Sequence, residues 1–244
     1  MADLIFGIRP VAEAIAAGRE IEKVYIRQGG EGQLLSELRG LLARHRINTS
    51  EVPVEKLNRL TRGNHQGVVA AISQIGYLSL EEILERIPAD ATPLLLILDG
   101  ITDVRNFGAI ARSAECAGVH GIITSLKNGA PVNADAIRTS AGALSRINVC
   151  RTGSIRNAIK SLQAAGIQIV GATEKSSKTL FEADMTGPSA IVMGNEEDGI
   201  SKEALKLCDE KLAIPIVGEV KSLNVSAAAA VILFEAVRQR KRTK

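Results

Sequence analysis

The sequence predicts an α/β protein, with a mostly parallel sheet covered by helices on both faces and a small α/β domain in front of it. Three observations support this fold class. From residue 94 onward, short apolar runs alternate with helical patterns, as in parallel sheets that are buried on both faces. The first 75 residues contain a separate series of strand and helix patterns. A stretch with two prolines, "ERIPADATP", lies between the two series and indicates a boundary.

The first series predicts a compact domain over residues 1–75. Apolar spacing indicates helices in "RPVAEAIAAG", "QLLSELRGLLARHR" and "PVEKLNRLTRG", the first of them stopped by Gly18. Strands are expected in "IEKVYIR", "INTSEV" and "GVVAAIS". Residues 76–93 are then expected to be a linker.

The second series predicts a larger domain over residues 94–244. Its strands are expected in "LLLIL", "HGIIT", "RINVC", "IQIVGA", "SAIVM" and "KLAIPI". Ligands of such sheets bind beyond the carboxyl ends of the strands. The candidate site is therefore sought in three segments that follow strands: "DGITDVRNFG", "GNEEDG" and "PIVGEVKSLN".

The charge is modest in total, at +3, but the two ends of the chain are basic. Residues 238–244, "RQRKRTK", hold five positive side chains and no acid. Basic ends indicate a polyanionic partner, and a solvated tail explains the same pattern. With two Tyr, four Phe and no Trp, the chain has few rings for stacking bases. Any RNA is therefore expected to be held by its backbone, its shape and hydrogen bonds.

Cysteine and histidine spacing gives no sign of a metal site. Cys116, Cys150 and Cys208 lie far apart without a CxxC pair, and the three histidines show no ligand spacing. We expect reduced, buried thiols in a cytosolic protein and no bound metal. No apolar run reaches membrane-spanning length, and the amino terminus lacks the layout of a signal peptide, so a cytoplasmic location is expected.

The first candidate segment, "DVRNFGAIARSAECAG", predicts a helix with a polar opening. Asn106 is expected to be its N-cap, and Arg112 to lie off its buried stripe. Gly108, one turn before Arg112, is expected to leave open space over the guanidinium, which could then grip a phosphate with two hydrogen bonds. An ordinary surface arginine is the alternative. The expected buried stripe consists of Ala109, Ile110, Ser113, Ala114 and Ala117.

The other two segments each have a simple structural explanation when taken alone. The acids of "IVMGNEEDGIS" could cap the following helix. The last predicted helix begins with three polar residues, Ser222, Asn224 and Ser226. One of them is enough to cap the helix, so the presence of all three suggests a further role. That helix shows no polar side from Ala227 to Phe234 and is expected to be buried all round, either inside one chain or partly by a second copy.

Taken together, the three segments resemble the motifs of a known family. "NFGAIAR", "GNEEDG" and "IPIVGEVKSLNVSAA" follow strands in the order found in the SpoU, or TrmH-like (SPOUT), RNA 2′-O-ribose methyltransferases. The resemblance covers about residues 94–240, and the alanines after "SLNVS" are a minor departure. "FGIRPVAEAI" and "GNHQGVVAAI" resemble the RNA-binding leader of the RlmB branch, which methylates a guanosine of 23S ribosomal RNA.

The resemblance implies a C-terminal trefoil knot that binds S-adenosylmethionine, and a homodimer that forms through the last helix and shares its active sites. It also explains why the sequence lacks a glycine-rich nucleotide fingerprint. The implied cofactor contacts are Gly194, Ile214 and Leu223.

The resemblance also implies roles for five residues. Arg112 is the family's proposed base, but a guanidinium hardly deprotonates in proteins, so clamping the adjacent phosphate is the less demanding role. Asn106 would orient Arg112, and Glu196 would hold the loop or the ribose. Ser222 and Asn224 would contact phosphate and base.

Two alternatives remain at this stage. Within the family, the target could be a transfer-RNA guanosine or another nucleotide of ribosomal RNA. From a different class, the chain could be an RNA-binding assembly factor that has lost catalysis. The intact set of Asn106, Arg112, Glu196 and Asn224 argues against the second alternative, and cofactor binding would separate the two classes.

Overall fold

The computed structural model describes residues 4–220 and 222–242 of the chain. Contacts divide the chain into two compact units. The front unit runs from the amino terminus to Gly76 and includes Pro131–Ala134, and the second unit holds Tyr77–Ala130 and the chain from Asp135 onward.

The front unit is a four-stranded sheet with three helices. Its strands stand in the order β1-β4-β2-β3, with β4 antiparallel to β1 and β2, and β3 parallel to β2. The three predicted strands and three predicted helices are confirmed, while β1 was missed because three residues are too few to show alternation. The elements are β1 (Leu4–Phe6), α1 (Ile8–Ala16), β2 (Ile21–Arg27), α2 (Gln33–Arg44), β3 (Thr49–Val52), α3 (Val54–Leu60) and β4 (Val68–Ile72).

The two faces of this sheet are covered unequally. α1 and α2 pack on one face through buried side chains such as Val11 and Leu38, which meet Val24 and Ile26 of β2. Among the described residues, the other face is covered by α3, a helix of 7 residues. Its core is small and consists of Val52, Leu57 and Val69.

The second unit is a six-stranded sheet in the order β10-β8-β9-β5-β6-β7, with every recorded pairing parallel. All residues of the central β9 are buried, as the apolar run predicted. β10 is shorter than predicted, because the chain leaves the sheet before Pro215, which has no N–H to donate.

The strands of the second unit are β5 (Leu94–Asp99), β6 (Gly121–Ser125), β7 (Val149–Thr152), β8 (Gln168–Ala172), β9 (Ser189–Gly194) and β10 (Glu210–Leu212). The helices are α4 (Leu80–Glu85), α5 (Val104–Cys116), α6 (Ala134–Thr139), α7 (Ile155–Ala164), α8 (Lys202–Leu207) and α9 (Val225–Arg242), with 3-10 turns at Ala143–Ser145 and Leu180–Glu182. None of the described helices has the length and apolar character that a membrane crossing requires.

Residues 77–93, most of the predicted linker, form part of the second unit and contribute to its core. They contain α4, which opens with a capping box in which Ser79 and Glu82 each bond the other's backbone N–H. Leu80 and Ile83 of this helix belong to the buried core that surrounds the parallel sheet.

The last helix, α9, has one buried face and one exposed apolar face. Ala229, Ile232 and Leu233 are buried, whereas Val231 is 41% and Phe234 49% exposed. Near the end of α9, the half-buried guanidinium of Arg240 donates to a group of surrounding oxygens, and burial lowers its pKa. The acceptors are the carbonyl oxygens of Thr92, Pro93, Met185 and Gly187 and the Ser189 hydroxyl. These bonds fix α9 to the start of β5 and β9.

The three cysteines do not share one environment. Cys150 and Cys208 are buried, and burial raises the pKa of each thiol to about 11. Cys116 is exposed at the end of α5. The expectation of buried thiols is therefore wrong for Cys116, because the stripe that α5 buries does not include this position.

This difference predicts thiol reactivity. Because the thiolate is the reactive form, a disulfide reagent at pH 8 should label one thiol per native chain rapidly and three in denaturant. Cys116→Ser should remove the rapid phase. Rapid labelling of native Cys116→Ser protein would contradict the assigned burial of Cys150 and Cys208.

Candidate active site

The candidate site lies at the carboxyl ends of the two central strands, β5 and β9. These strands pair along their whole length, from Leu94 beside Ser189 to Asp99 beside Gly194. Asp99 then accepts a hydrogen bond from the Ser201 backbone N–H through Oδ2, at 2.9 Å. The loops that follow the two strands are thus held together at their bases.

One side-chain amide joins the three candidate segments. Asn224 donates through Nδ2 to Asn106 Oδ1 at 3.0 Å and to Glu196 Oε1 at 2.7 Å. The other atom of the amide, Oδ1, accepts from the Ser226 backbone N–H at 2.9 Å, so the amide is used on both sides. We call Asn106, Glu196 and Asn224 the amide bridge.

The side chain of Asn106 can accept a hydrogen bond from Asn224 because another residue caps the helix α5. α5 begins at Val104, and Asp103 Oδ1 accepts from the Asn106 backbone N–H at 2.7 Å. The prediction that Asn106 is the N-cap is therefore wrong by one turn. The cap at Asp103 leaves the Asn106 side chain available to accept from Asn224.

Asn224 is held in place by the start of α9. Its backbone oxygen accepts from the Ala228 N–H at 3.0 Å, and its side-chain oxygen accepts from the Ser226 N–H. Asn224 thus caps α9 with its side-chain oxygen, while its side-chain nitrogen donates to Asn106 and Glu196. Of the three polar residues that open the helix, Asn224 serves both the cap and the site.

The loop that carries Glu196 depends on a glycine. A Cβ on Gly194 would lie 2.0 Å from the Gly199 carbonyl carbon and 2.1 Å from the Ile200 nitrogen, which no side chain can tolerate. Asn195 closes the loop over this glycine, since its Oδ1 accepts from the N–H groups of Glu197 at 2.9 Å and Asp198 at 2.6 Å.

Arg112 is not part of the amide bridge within one chain. It is exposed on α5, off the buried stripe as predicted, and among the described residues no ion pair or hydrogen bond links it to Asn106, Glu196 or Asn224. The predicted open space at Gly108 is wrong. A Cβ there would lie 2.8 Å from Thr139 Cβ and 2.9 Å from the Ala136 oxygen, so this glycine lets α6 pack closely on α5.

Two adjoining cavities contain the predicted cofactor residues. One has a volume of about 120 Å³ and includes Ile214, and the other, of about 260 Å³, includes Gly194. Ser222 and Leu223 line both, so we treat them as one, the Leu223 cavity. Further residues shared by the two parts are Ala172, Glu174, Met193 and Ala228.

A third cavity, of about 290 Å³, lies on another side of the amide bridge and shares Asn195, Glu196 and Val225 with the Leu223 cavity. It is lined by Asn106 and Glu196 together with Thr102 and Asp103, and we call it the Thr102 cavity. Glu196 lines both the Thr102 cavity and the Leu223 cavity. The amide bridge therefore borders two cavities.

The walls of the Leu223 cavity fit a ligand with a flat apolar part and polar ends. Met193, Leu212 and Ile214 provide apolar surface, and Glu174 and Ser222 provide a carboxylate and a hydroxyl. The Thr102 cavity is lined by three carboxylates, from Asp103, Glu196 and Glu197. Within the described residues, no His, Cys, Asp or Glu side chains form a group of three that could hold a metal ion.

Three residues of the site were missed from the sequence. Glu174 follows β8, and the strand-end rule that selected three other segments would have found it. Asp103 lies three residues before Asn106, which is the usual distance from an N-cap to the N–H it accepts from. Asn195 gave no local signal, since its role depends on how the loop folds over Gly194.

Comparison with known proteins assigns this arrangement to a family. Residues 93–234 match the model of the SpoU rRNA Methylase family, which is more than half of the chain. The chain belongs to this family. Residues 4–78 match a second model, described as RNA 2′-O ribose methyltransferase substrate binding, which covers the front unit. Both matches confirm the resemblance that the motifs suggested.

Similar chains extend over almost the whole sequence. A protein of Photorhabdus laumondii named 23S rRNA (guanosine-2′-O-)-methyltransferase RlmB is 35% identical over 98% of this chain and 99% of its own. A protein of Mycolicibacterium smegmatis named as an uncharacterized tRNA/rRNA methyltransferase is 38% identical over 98% of this chain and 77% of its own.

Solved structures share the fold. The SpoU methyltransferase AviRb of Streptomyces viridochromogenes, in complex with AdoMet, matches with a TM-score of 0.61 and 30% identity over 98% of this chain and 91% of its own. An AdoMet-bound rRNA methyltransferase of Sinorhizobium meliloti matches with a TM-score of 0.62 and 26% identity over 96% of this chain and 86% of its own.

Because the backbone of Gly199 and Ile200 lies so close to Gly194, adding one methyl group at this position should strongly lower the stability of the protein. Gly194→Ala should lower the free energy of unfolding by about 2 kcal/mol or more, because backbone rather than a flexible side chain occupies the space. Urea denaturation measures this effect. The matched control is Gly153→Ala, where nothing lies within 4 Å of an added Cβ, and its effect should stay below about 1 kcal/mol. Equal effects of the two substitutions would count against the described loop.

Proposed function

We propose that this protein methylates the ribose 2′-hydroxyl of a guanosine in 23S ribosomal RNA, with S-adenosylmethionine as methyl donor. The observation that carries the proposal is the amide bridge, which in this member of the SpoU family lies between the Leu223 cavity and the Thr102 cavity. The choice of 23S RNA and guanosine is supported by the full-length RlmB relatives. A transfer RNA is the alternative that the test below distinguishes.

The Leu223 cavity is suited to the cofactor. Met193, Leu212 and Ile214 would contact an apolar ring system, and Glu174 would accept hydrogen bonds from hydroxyl or ammonium groups. Gly194 and Leu223 would form the wall nearest the amide bridge. Bound S-adenosylmethionine supplies an activated methyl group, so the chain's own task is to position the ribose and its proton.

The RNA ribose would lie on the side of the Thr102 cavity. Asn106 and Glu196 offer oxygens there whose positions Asn224 fixes, and Ser222 lies at the edge of the Leu223 cavity. Arg112 would hold the adjacent phosphate through paired N–H groups. A guanidinium has five donors and no acceptor, so in that role it orients the nucleotide without taking up a proton.

A homodimer is part of this proposal. Ala227, Val231 and Phe234 of α9 are exposed at spacings of four and three residues, which places them on one stripe of the helix. An apolar stripe of this kind on a long helix is suited to a second copy of the same stripe. Since one chain leaves Arg112 away from its own amide bridge, a second copy would supply the missing arginine.

A trefoil knot is also part of the proposal. β10 lies at the edge of the sheet, yet the chain that follows it returns to the centre, where Asn224 meets Glu196 beyond β9. The returning segment lines the Leu223 cavity through Ile214, Ser222 and Leu223. A chain path that crosses the strand ends in this way is what a knotted cofactor site needs.

The test of the function combines a gene deletion with one substitution. Deletion should remove a single 2′-O-methylguanosine from 23S RNA in a ribose-methylation map of total RNA, and the wild-type gene should restore it. Arg112→Lys keeps the charge but loses the planar pair of donors, so the methylation rate in vitro should fall at least ~100-fold while cofactor affinity is retained.

The control for this experiment is Arg156→Lys, the same change at an exposed position on α7. It should leave the rate within about twofold of wild type, as expected for a surface position without these contacts. A methylation lost from transfer RNA instead would refute the 23S assignment. Near-normal turnover by Arg112→Ala would refute the role of Arg112.

The dimer has its own prediction. Val231→Glu combined with Phe234→Glu should convert the dimer into a chain of 25.9 kDa in light scattering, because each places a charge on the exposed stripe. The monomer should keep its circular dichroism spectrum and lose at least ~100-fold of its methylation rate, since no second copy supplies Arg112.

Substitutions at Ala229 or Ile232 would not test this, because both side chains are buried within one chain. The matched control is Leu34→Glu, an exposed apolar residue of α2 with 47% exposure, which should remain dimeric and active. A wild-type protein that is active as a monomer would exclude the proposed arrangement.

A further inference from the structure

The front unit has a basic face that the active site does not use. The face is the one covered by α3, and β2 contributes Lys23, Tyr25 and Arg27 to it. Tyr25 packs with the small core under α3, and residues two positions apart in a strand share a face. Arg27 and three basic residues at or after α3 are exposed, namely Lys56, Arg59 and Arg62.

The charges of the front unit are distributed unequally between its two faces. On the side of α1 and α2, cations are matched by acids, and Arg39 pairs with Glu51 at 2.6 Å. On the α3 face, Glu55 is exposed. Glu22 is buried and accepts from the Val132 N–H at 2.6 Å, and burial together with the charge of Glu22 raises the pKa of Tyr25. The five basic residues named for the α3 face thus outnumber the two acids named there.

Two of these cations converge on one aromatic ring. The Lys23 ammonium lies 5.6 Å and the Lys56 ammonium 5.4 Å from the centre of the half-buried Tyr25 ring. The ring attracts each of them, while the two like charges repel each other. A bound anion would remove this repulsion, so the cluster is arranged to receive a negatively charged group.

A second feature of this face is a hydrogen-bonded loop next to Arg27. The His65 ring accepts from the Gly67 N–H at 3.0 Å through Nδ1, and its Nε2 lies 2.9 Å from Asn58 Oδ1 on α3. A Cβ on Gly67 would lie 3.4 Å from the Arg27 Cβ, so the loop passes directly beside the Arg27 side chain. The cations of β2 and α3 are thus held on a stable surface.

We propose that the α3 face of the front unit, with Lys23, Tyr25, Arg27, Lys56 and Arg59, is a surface that binds the phosphate backbone of the RNA substrate. This rests on the proposed function, which supplies RNA as the substrate, and it adds the contact surface. The argument for RNA is charge complementarity, because more cations than acids have been found on this face and RNA carries one negative charge per nucleotide. Phosphate contacts carry no sequence information, so the surface positions the RNA without selecting the target base.

The test removes two cations from each face in the full-length protein. Lys23→Gln with Lys56→Gln removes the pair at Tyr25, and the matched control, Arg19→Gln with Arg44→Gln, removes two exposed cations that follow or end α1 and α2. Binding of a short, fluorescein-labelled single-stranded RNA is measured by anisotropy over a series of KCl concentrations. Circular dichroism melting checks that both variants remain folded.

The Lys23/Lys56 variant should bind RNA about tenfold more weakly or worse, with the salt slope reduced by about 1.4, which is 0.7 for each lost phosphate contact. The loss should be equal for RNAs of different sequence. The control should change affinity by less than about twofold. Equal losses in both variants, or no loss in the first, would overturn the proposal.

Methylation of a 23S transcript, measured in parallel, separates this proposal from the proposed function. If wild-type protein methylates the transcript and the Lys23/Lys56 variant does so with unchanged KM, the surface proposal fails and the function stands. If wild-type protein does not methylate it but RNA binding depends on Lys23 and Lys56, the function fails and the surface stands.

Discussion

The candidate active site depends on one side-chain amide, that of Asn224. It donates to Asn106 after β5 and to Glu196 after β9, while its oxygen caps the helix on which it stands. Three segments far apart in the sequence are joined by these bonds, over 118 positions in one case and 28 in the other. An amide suits this position because it donates on one side and accepts on the other, which neither a carboxylate nor an ammonium group can do.

The same site requires backbone segments to approach each other more closely than side chains allow. Gly194 has the loop of Glu196 folded directly over it, and Gly108 lets α6 contact α5. These glycines serve packing rather than flexibility, and neither has a positive φ. Gly194 thereby positions the loop that carries Glu196, and Gly108 positions α6 against the helix that carries Asn106.

The last helix connects packing with function. Its inner face completes the core of the parallel sheet, Arg240 fixes its far end to backbone oxygens, and its start carries Asn224. Its outer stripe remains apolar and exposed. The exposed stripe lies on the helix that Asn224 caps, so one element carries both this surface and one member of the amide bridge.

The sequence by itself determined the order and type of the elements. Apolar runs identified the parallel strands, and three motifs at strand ends identified Asn106, Glu196 and Asn224 as candidates, because these signals depend on neighbouring residues and on one general rule for sheets. The tertiary structure decided what no local pattern contains. That Asp103 rather than Asn106 caps α5, that Gly108 is filled by α6, and that Arg112 stands apart from the bridge all depend on segments distant in sequence. The basic face at Tyr25 also depends on tertiary packing, since Lys23 and Lys56 approach the same ring only once α3 has packed against β2.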